Sequence, residues 1–266
     1  MTMQPIIKVR DLIAGYDNIV VLNDISFDVY PGEILMVIGG SGCGKSTLLR
    51  QLVGLQRPFS GSISYWERDI TGMDEDELAH LLHRVGLSFQ EGALFNSMTV
   101  AENVALPMEE SGGMDRELIR VLVRMKLSLV GLGEYGYLMP EALSGGMKKR
   151  VGFARAIAVD PEIVFFDEPS AGLDPIIGAG LDEIILDIRR LMNLTMVVVT
   201  HELESIKTVA DRVLMLDGGR IIFIGSLEEA ETTDQPRVRQ FFDRKPDASI
   251  GELNNRSLLT PVLRAQ

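Results

Sequence analysis

The sequence predicts an α/β protein with a mainly parallel sheet, an N-terminal antiparallel β subdomain and an inserted helical subdomain. Three observations carry this expectation. EILMVIG (33–39), EIVFFDEP (162–169) and TMVVVTHE (195–202) are short, dense apolar runs ending in glycine or polar residues, as strands buried on both faces require. Between the last two, Ile177, Leu181, Ile184, Ile185, Ile188 and Leu191 recur at helical spacing, so strands alternate with helices as in a parallel sheet with right-handed crossovers. Residues 91–160 carry helical patterns, notably 115–132 and 145–159, and no evident strand.

In chain order, IIKVRDLIAGY and VVLNDISFDV (within 6–30) read as short extended pieces separated by turn residues. The buried strand at 33–39 follows, and VLMLDGGRIIFIG (213–225) reads as a closing hairpin about Asp217-Gly218-Gly219. These segments define one unit over 6–225, with the helical insertion at about 91–160. Residues 226–266 are polar and hold Pro236, Pro246 and Pro261. They are expected to be either a dimer- or partner-contacting extension or a loosely held tail.

With 266 residues and 46% apolar content, the chain can bury a large core. No apolar run approaches the roughly 18–20 residues of a membrane-spanning helix, and MTMQPIIKVRD lacks the character of a signal peptide. One cysteine rules out an internal disulfide framework and agrees with a reducing compartment. A balance of 26 basic to 38 acidic residues, net −12, argues against wrapping nucleic acid.

The loop after the first buried run has the spacing Gly39-x4-Gly44-Lys45-Ser46, between a strand and a helix. Its glycines allow successive N–H groups to turn inward, and the following helix adds its positive end. Gly39, Gly40, Ser41, Gly42, Cys43, Gly44, Lys45, Ser46 and Thr47 are therefore expected to cradle nucleotide phosphates. Lys45 would reach the β- and γ-phosphates, and Ser46 would ligate Mg²⁺. Cys43, near a helix N-terminus, is foremost a small residue that fits. A thiol reagent there is nonetheless expected to block nucleotide binding, with ATP protecting. After the second buried run, Asp167 is placed to hold the Mg²⁺ shell and Glu168 to act as general base for water.

LSGGM (143–147), followed by Lys148-Lys149-Arg150, resembles the signature of the ATP-binding cassette (ABC) ATPases. The likeness spans about 6–225 and includes Gln90 in LSFQEGALF, SAGLDP (170–175), His201 and Tyr16 in the family's order. It implies a P-loop NTPase of the ABC type and a homodimer holding two ATP molecules. Ser144 with its neighbouring N–H groups opens a helix and so makes a second anion site. By resemblance, Ser144, Gly145 and Gly146 of one copy close over the γ-phosphate held by the other, and Asp174 lies at that interface. Tyr16 stacks on adenine, Gln90 senses γ-phosphate, Mg²⁺ or water, and His201 bonds the γ-phosphate and orients water. Hydrolysis would then switch a transmembrane permease between states.

Three stretches, FQEGALFNSMTVAENVALPM (89–108), LMPEALSGGM (138–147) and DQPRVRQFFD (234–243), are similar to the Mla/Mce-type lipid-transport ATPases. That implies phospholipid transport at the cytoplasmic face of a bacterial inner membrane, with an MlaE-like permease, an Mce-domain protein and a STAS-domain subunit. Residues 90–95 would offer the permease an apolar groove edge through Gly92, Ala93, Leu94 and Phe95. The extension would cross the dimer through Arg237, Arg239 and Phe241. The alternatives are an importer ATPase for amino acids or another polar solute and a soluble ABC protein outside transport.

Overall fold

The antiparallel start forms as β1 (Ile7–Tyr16) and β2 (Ile19–Val29), paired from Ile7↔Val29 to Tyr16↔Ile19 in a computed structural model that describes residues 4–90 and 92–246. Asp17 at φ 52° supplies the left-handed residue of the tight connection. β3 (Ile34–Gly39) then runs into α1 (Lys45–Leu52). β4 (Ser60–Tyr65) and β5 (Arg68–Asp69) extend the first sheet to the order β2-β1-β4-β5. α2 (Glu75–Leu82), capped by Asp74, leads to β6 (Val85–Ser88).

The helical region contains α3 (Val100–Ser111), α4 (Arg116–Leu129) and α5 (Gly145–Ala156). Each begins at a side-chain cap: a Thr99–Glu102 capping box, Asp115 and Ser144. β7 (Ile163–Asp167), α6 (Pro175–Met192), β8 (Thr195–Val199), α7 (Leu203–Val209), β9 (Arg212–Asp217) and β10 (Arg220–Ser226) follow. The second sheet has the order β10-β9-β3-β8-β7-β6, with parallel pairing from β6 through β9 and β10 antiparallel at one edge.

Period-two alternation in the central strands separates two cores. Ile34, Met36, Ile38, Val164, Phe166, Met196 and Val198 face the helices, where α3–α7 pack. Leu35, Val37, Ile163, Phe165, Val197 and Val199 face α1 and the antiparallel sheet. The sheet is thus the middle of three layers. Each fully buried aliphatic or phenyl group contributes about 1.5–3 kcal/mol. Phe153 of α5, 4.3 Å from Phe166 between ring centroids, anchors the helical region to β7.

Several elements depart from the sequence reading. β4, β5, α2 and β6 were not foreseen, because Ser60-Gly61-Ser62 is polar and β6 is only four residues long. Gly86 in β6 is required there: a Cβ would stand 2.1 Å from the Ala156 carbonyl. On α6 the buried stripe is Leu181, Ile185 and Ile188, whereas Leu191 is 69% exposed at the last turn and Ile177 lies near the surface. The extension is not loosely held over its described part. α8 (Leu227–Thr232) opens with a Ser226–Glu229 capping box, and α9 (Pro236–Phe242) opens on its proline. Ala230 and Val238 are fully buried in the helical-side core, with Phe241 and Phe242 against it. Glu91 and residues 247–266, including Pro261, lie outside the described residues. No described helix is long and apolar enough to cross a membrane.

Candidate active site

The carboxyl ends of the parallel strands bring the sequence-predicted residues together, the usual place for a ligand in such a sheet. β3 delivers the glycine loop, β7 delivers Asp167 and Glu168, β8 leads to His201, and Gln90 follows β6. Register aligns these ends: Val199 pairs with both Val37 and Asp167, and Ser88 with Phe166. The Glu168 N–H donates to the Val199 carbonyl at 2.8 Å.

Gly39, Gly42 and Gly44 take φ values of 147°, 74° and 107°, where side chains are strained. A Cβ on Gly39 would also stand 2.3 Å from the Leu216 carbonyl. Gly40, Ser41, Gly42 and Ser46 are exposed at the loop. Lys45 Nζ donates to the Gly39 and Gly40 carbonyls at 2.8 and 3.1 Å, folding back over the loop. No side chain caps α1 and no acidic residue occupies its first turn, which leaves its positive end for an anion. Thr47 is buried and donates to the Tyr16 hydroxyl at 3.3 Å, and Arg50 donates to the same oxygen at 3.0 Å. The partly exposed Tyr16 ring is thereby fixed beside the loop helix.

Cys43 sits as a small residue that fits the loop. It is 6% exposed, and burial pushes the pKa of its thiol up despite the nearby Lys45. Desolvation outweighs the helix end, so this is not an activated nucleophile.

Burial first, and then the charge of Glu168, raise the Asp167 carboxyl; Arg50 and Lys45 pull it back. A hard oxygen donor whose charge is raised in cost by its setting fits a divalent cation, and the Ser46 hydroxyl is a second donor of the same kind. Lys45 and the uncapped start of α1 fit phosphate. Glu168, at φ 48°, places Oε1 2.8 Å from His201 Nδ1, and the His201 N–H donates to Oε2 at 3.4 Å. A carboxylate only accepts, so Nδ1 carries the proton in this pair. Water, a proton acceptor and an imidazole can therefore be aligned beside bound phosphate.

Ser144 caps α5, its hydroxyl accepting from the Met147 N–H at 3.3 Å, with Gly145 exposed and Gly146 tight against α6. A Cβ on Gly146 would stand 2.7 Å from Ile177 Cγ2. Asp174 caps α6 through the Ile176 and Ile177 N–H groups. A cavity of about 530 Å³ joins Gln90, Ala93 and Leu94 to Gly145, Lys148 and Gly172. Gly92 is buried rather than part of an apolar edge, because Arg155 donates to its carbonyl at 2.6 Å and to that of Ala93 at 2.9 Å. Ala93 and Phe95 remain exposed, and Leu94 is half-buried.

Lys149 and Asn103 are among the buried residues whose roles went unread in the sequence. Lys149 donates to the carbonyls of Glu168 and Ala171 at 3.1 and 2.6 Å, tying α5 to the loop after β7. Asn103 holds the 95–99 segment by four hydrogen bonds. Lys149 sits in the basic run after LSGGM, which was its only visible signal. Arg237, near Asp217, and Arg239, near Asp234, lie on the chain's own surface, while Phe241 packs on its own core.

Residues 22–171 match the family described as ABC transporter. The chain is 39% identical to a probable ribonucleotide transport ATP-binding protein, mkl, of Mycobacterium leprae, over 94% of this chain and 72% of that one. It is 40% identical to the methionine import ATP-binding protein MetN of Corynebacterium efficiens, over 84% of this chain and 62% of that one. Among solved structures, the cassette MJ0796, dimeric in a post-hydrolysis state with ADP and Pi, superposes with a TM-score of 0.77 at 29% identity, covering 83% of this chain and 98% of its own. CbiO1 of Clostridium perfringens, described as part of the transporter complex cbiONQ, gives 0.80 at 27% identity, covering 94% and 99%.

Proposed function

The chain belongs to the ABC transporter family and is an ATPase using ATP and Mg²⁺, and from that premise we propose that two copies close around two ATP molecules to drive a transmembrane permease. The observation that carries this is the 2.8 Å Glu168–His201 pair beside the phosphate loop and Asp167. Lys45 and the loop N–H groups hold the phosphates, with Tyr16 stacking on adenine. Ser46, Asp167 and Gln90 hold Mg²⁺, which when bound neutralises phosphate charge. Glu168 takes the proton of the attacking water. With Nδ1–H given to Glu168, His201 keeps Nε2 to orient that water or, when protonated, to donate to the γ-phosphate.

The dimeric MJ0796 cassette supports the two-fold arrangement. Each copy's Ser144, Gly145, Gly146 and Asp174 would complete the partner's site. In this reading, residues 6–225 form the ATPase unit, residues 91–160 and the 90–95 loop face the permease, and 226–266 contact the dimer or a partner. The protein is then peripheral on the membrane through its permease.

For the cargo, relatives named for ribonucleotide transport and methionine import favour inward movement of a small polar solute. A second reading, phospholipid transport with an MlaE-like permease, an Mce-domain protein and a STAS-domain subunit at a bacterial inner membrane, is supported by the likeness of 89–108 and 234–243.

Glu168→Gln should bind MgATP, accumulate as a dimer on size exclusion and lose turnover by roughly 10²–10⁴-fold. Lys45→Ala should fail to bind ATP. Normal turnover by Glu168→Gln would remove Glu168 as the base.

A further inference from the structure

Asp182 lies on the second turn of α6 with only 4% of its surface exposed, among residues that would pack more cheaply as Leu or Ile. Burying a carboxylate opposes folding unless its oxygens are satisfied. Among the described residues, Asp182 Oδ1 has no hydrogen-bond partner. Oδ2 accepts from Ser205 Oγ at 2.9 Å, and Ser205 Oγ is 3.1 Å from Ser170 Oγ, with all three side chains buried. The donor order follows from chemistry. An ionised Asp182 only accepts, so Ser205 spends its one proton there and must accept from Ser170. The hydrogen bonds run Ser170 to Ser205 to Asp182, each polarising the next.

The chain joins particular segments. Ser170 is two residues beyond Glu168, and Ser205 is four beyond His201 on α7. The Ser170–Ser205 bond is thus a second rung between the two segments that the Glu168–His201 contact already bridges. Asp182 fastens that rung to α6, the helix capped by Asp174.

We propose that Asp182 is a positioning residue that, through Ser205 and Ser170, holds the Glu168 and His201 segments in register with α6. This rests on the assignment of Glu168 as base and His201 as its partner. Asp182 touches neither nucleotide nor water. Its loss should slow the chemical step and leave ATP binding at the α1 loop alone.

The test is steady-state ATP hydrolysis by the purified full chain, with thermal midpoints measured alongside. Asp182→Leu, which removes the acceptor and the buried charge, should keep or raise the midpoint, lower kcat about tenfold and leave the KM for ATP within about twofold. Asp182→Asn keeps an acceptor for Ser205 and should retain most of kcat. Ser205→Ala should fall as far as Asp182→Leu, and the double variant no further, since both cut one chain. A kcat for Asp182→Leu within twofold of the parent overturns the proposal, as does an Asp182→Asn loss equal to that of Leu. If Asp182→Leu fails to fold, the contrast between Asp182→Asn and Ser205→Ala decides, and equal activities overturn it. Glu168→Gln runs in parallel: if it stays active, the base assignment has failed, whereas an inactive Glu168→Gln with an active Asp182→Leu defeats only the positioning role.

Discussion

A single buried carboxyl sets a stability dependence that can be measured apart from activity. Burial raises Asp182 from an ordinary 3.8 to about 6; the Ser205 hydrogen bond pulls the other way and the charge of Glu202 adds to the rise. The folded state therefore favours the protonated form. The stability from this preference is whole below about pH 4 and is lost as pH rises through about 6, a swing on the order of 2–3 kcal/mol. Asp182→Asn cannot titrate, so its stability advantage over the parent should be small at pH 4.5 and widen by pH 7.5 in urea titrations. A gap independent of pH would show that Asp182 does not titrate in this range. At this scale short local spacings singled out Lys45, Asp167 and Glu168 by their phosphate and carboxylate chemistry, and His201 was singled out by the family resemblance. The sequence did not show Asp182, Lys149 or Arg155, whose partners are distant in sequence: Lys149 meets Ala171, and Arg155 meets Gly92. For Cys43 the burial agrees with the reading of a small residue that fits the loop.

Among elements, strands buried on both faces announce themselves, and strands with one polar face do not. β3, β7 and β8 were legible because every side chain but the terminal Asp167 is buried. β4 buries only Ile63 and Tyr65, and β6 only Gly86 and Ser88, so neither produced an apolar run. The loop after β6 illustrates what fixes a segment that lacks its own pattern. From α3, Asn103 accepts from the Phe95 N–H at 2.8 Å and donates to the carbonyls of Phe95, Met98 and Thr99 at 2.9–3.1 Å. It is fully buried, so truncation would take these partners from the Phe95 N–H and the Met98 carbonyl, while the Phe95 and Thr99 carbonyls keep the N–H groups of Met98 and Asn103. Asn103→Ala should cost about 2–3 kcal/mol, the upper part of the range for a broken buried network. Denaturant midpoints at constant slope would register the loss. Because the phosphate loop lies on other strands, ATP affinity should stay near that of the parent. A stability change below about 0.5 kcal/mol would mean that the backbone bonds of Met98 to Phe95 and of Val100 to Leu138 are enough to hold the segment.

At the scale of the whole molecule, a three-layer fold explains why nucleotide chemistry can be read from one chain and cargo cannot. The groups gathered at the strand ends are those proposed to address nucleotide, metal and water, and no described helix is long and apolar enough to cross a membrane. In the proposed transporter the permease would span the bilayer, so the cargo it selects is expected to be read out in this subunit's rate of hydrolysis. The surface that would carry the message is the region around Gln90, Ala93 and Leu94, which shares a cavity with the start of α5. A ligand shifts such an equilibrium only by its differential affinity for the two states, so the correct cargo should change ATP turnover when the permease is present and have no effect on the isolated chain. In proteoliposomes containing both proteins, the polar-solute reading expects methionine or ribonucleotides, supplied with any binding protein the permease needs, to raise turnover several-fold. The same reading expects phospholipid composition to matter little and fluorescent phospholipid to stay in place. Turnover that follows phospholipid, together with ATP-dependent lipid movement and indifference to polar solutes, would instead establish the lipid reading.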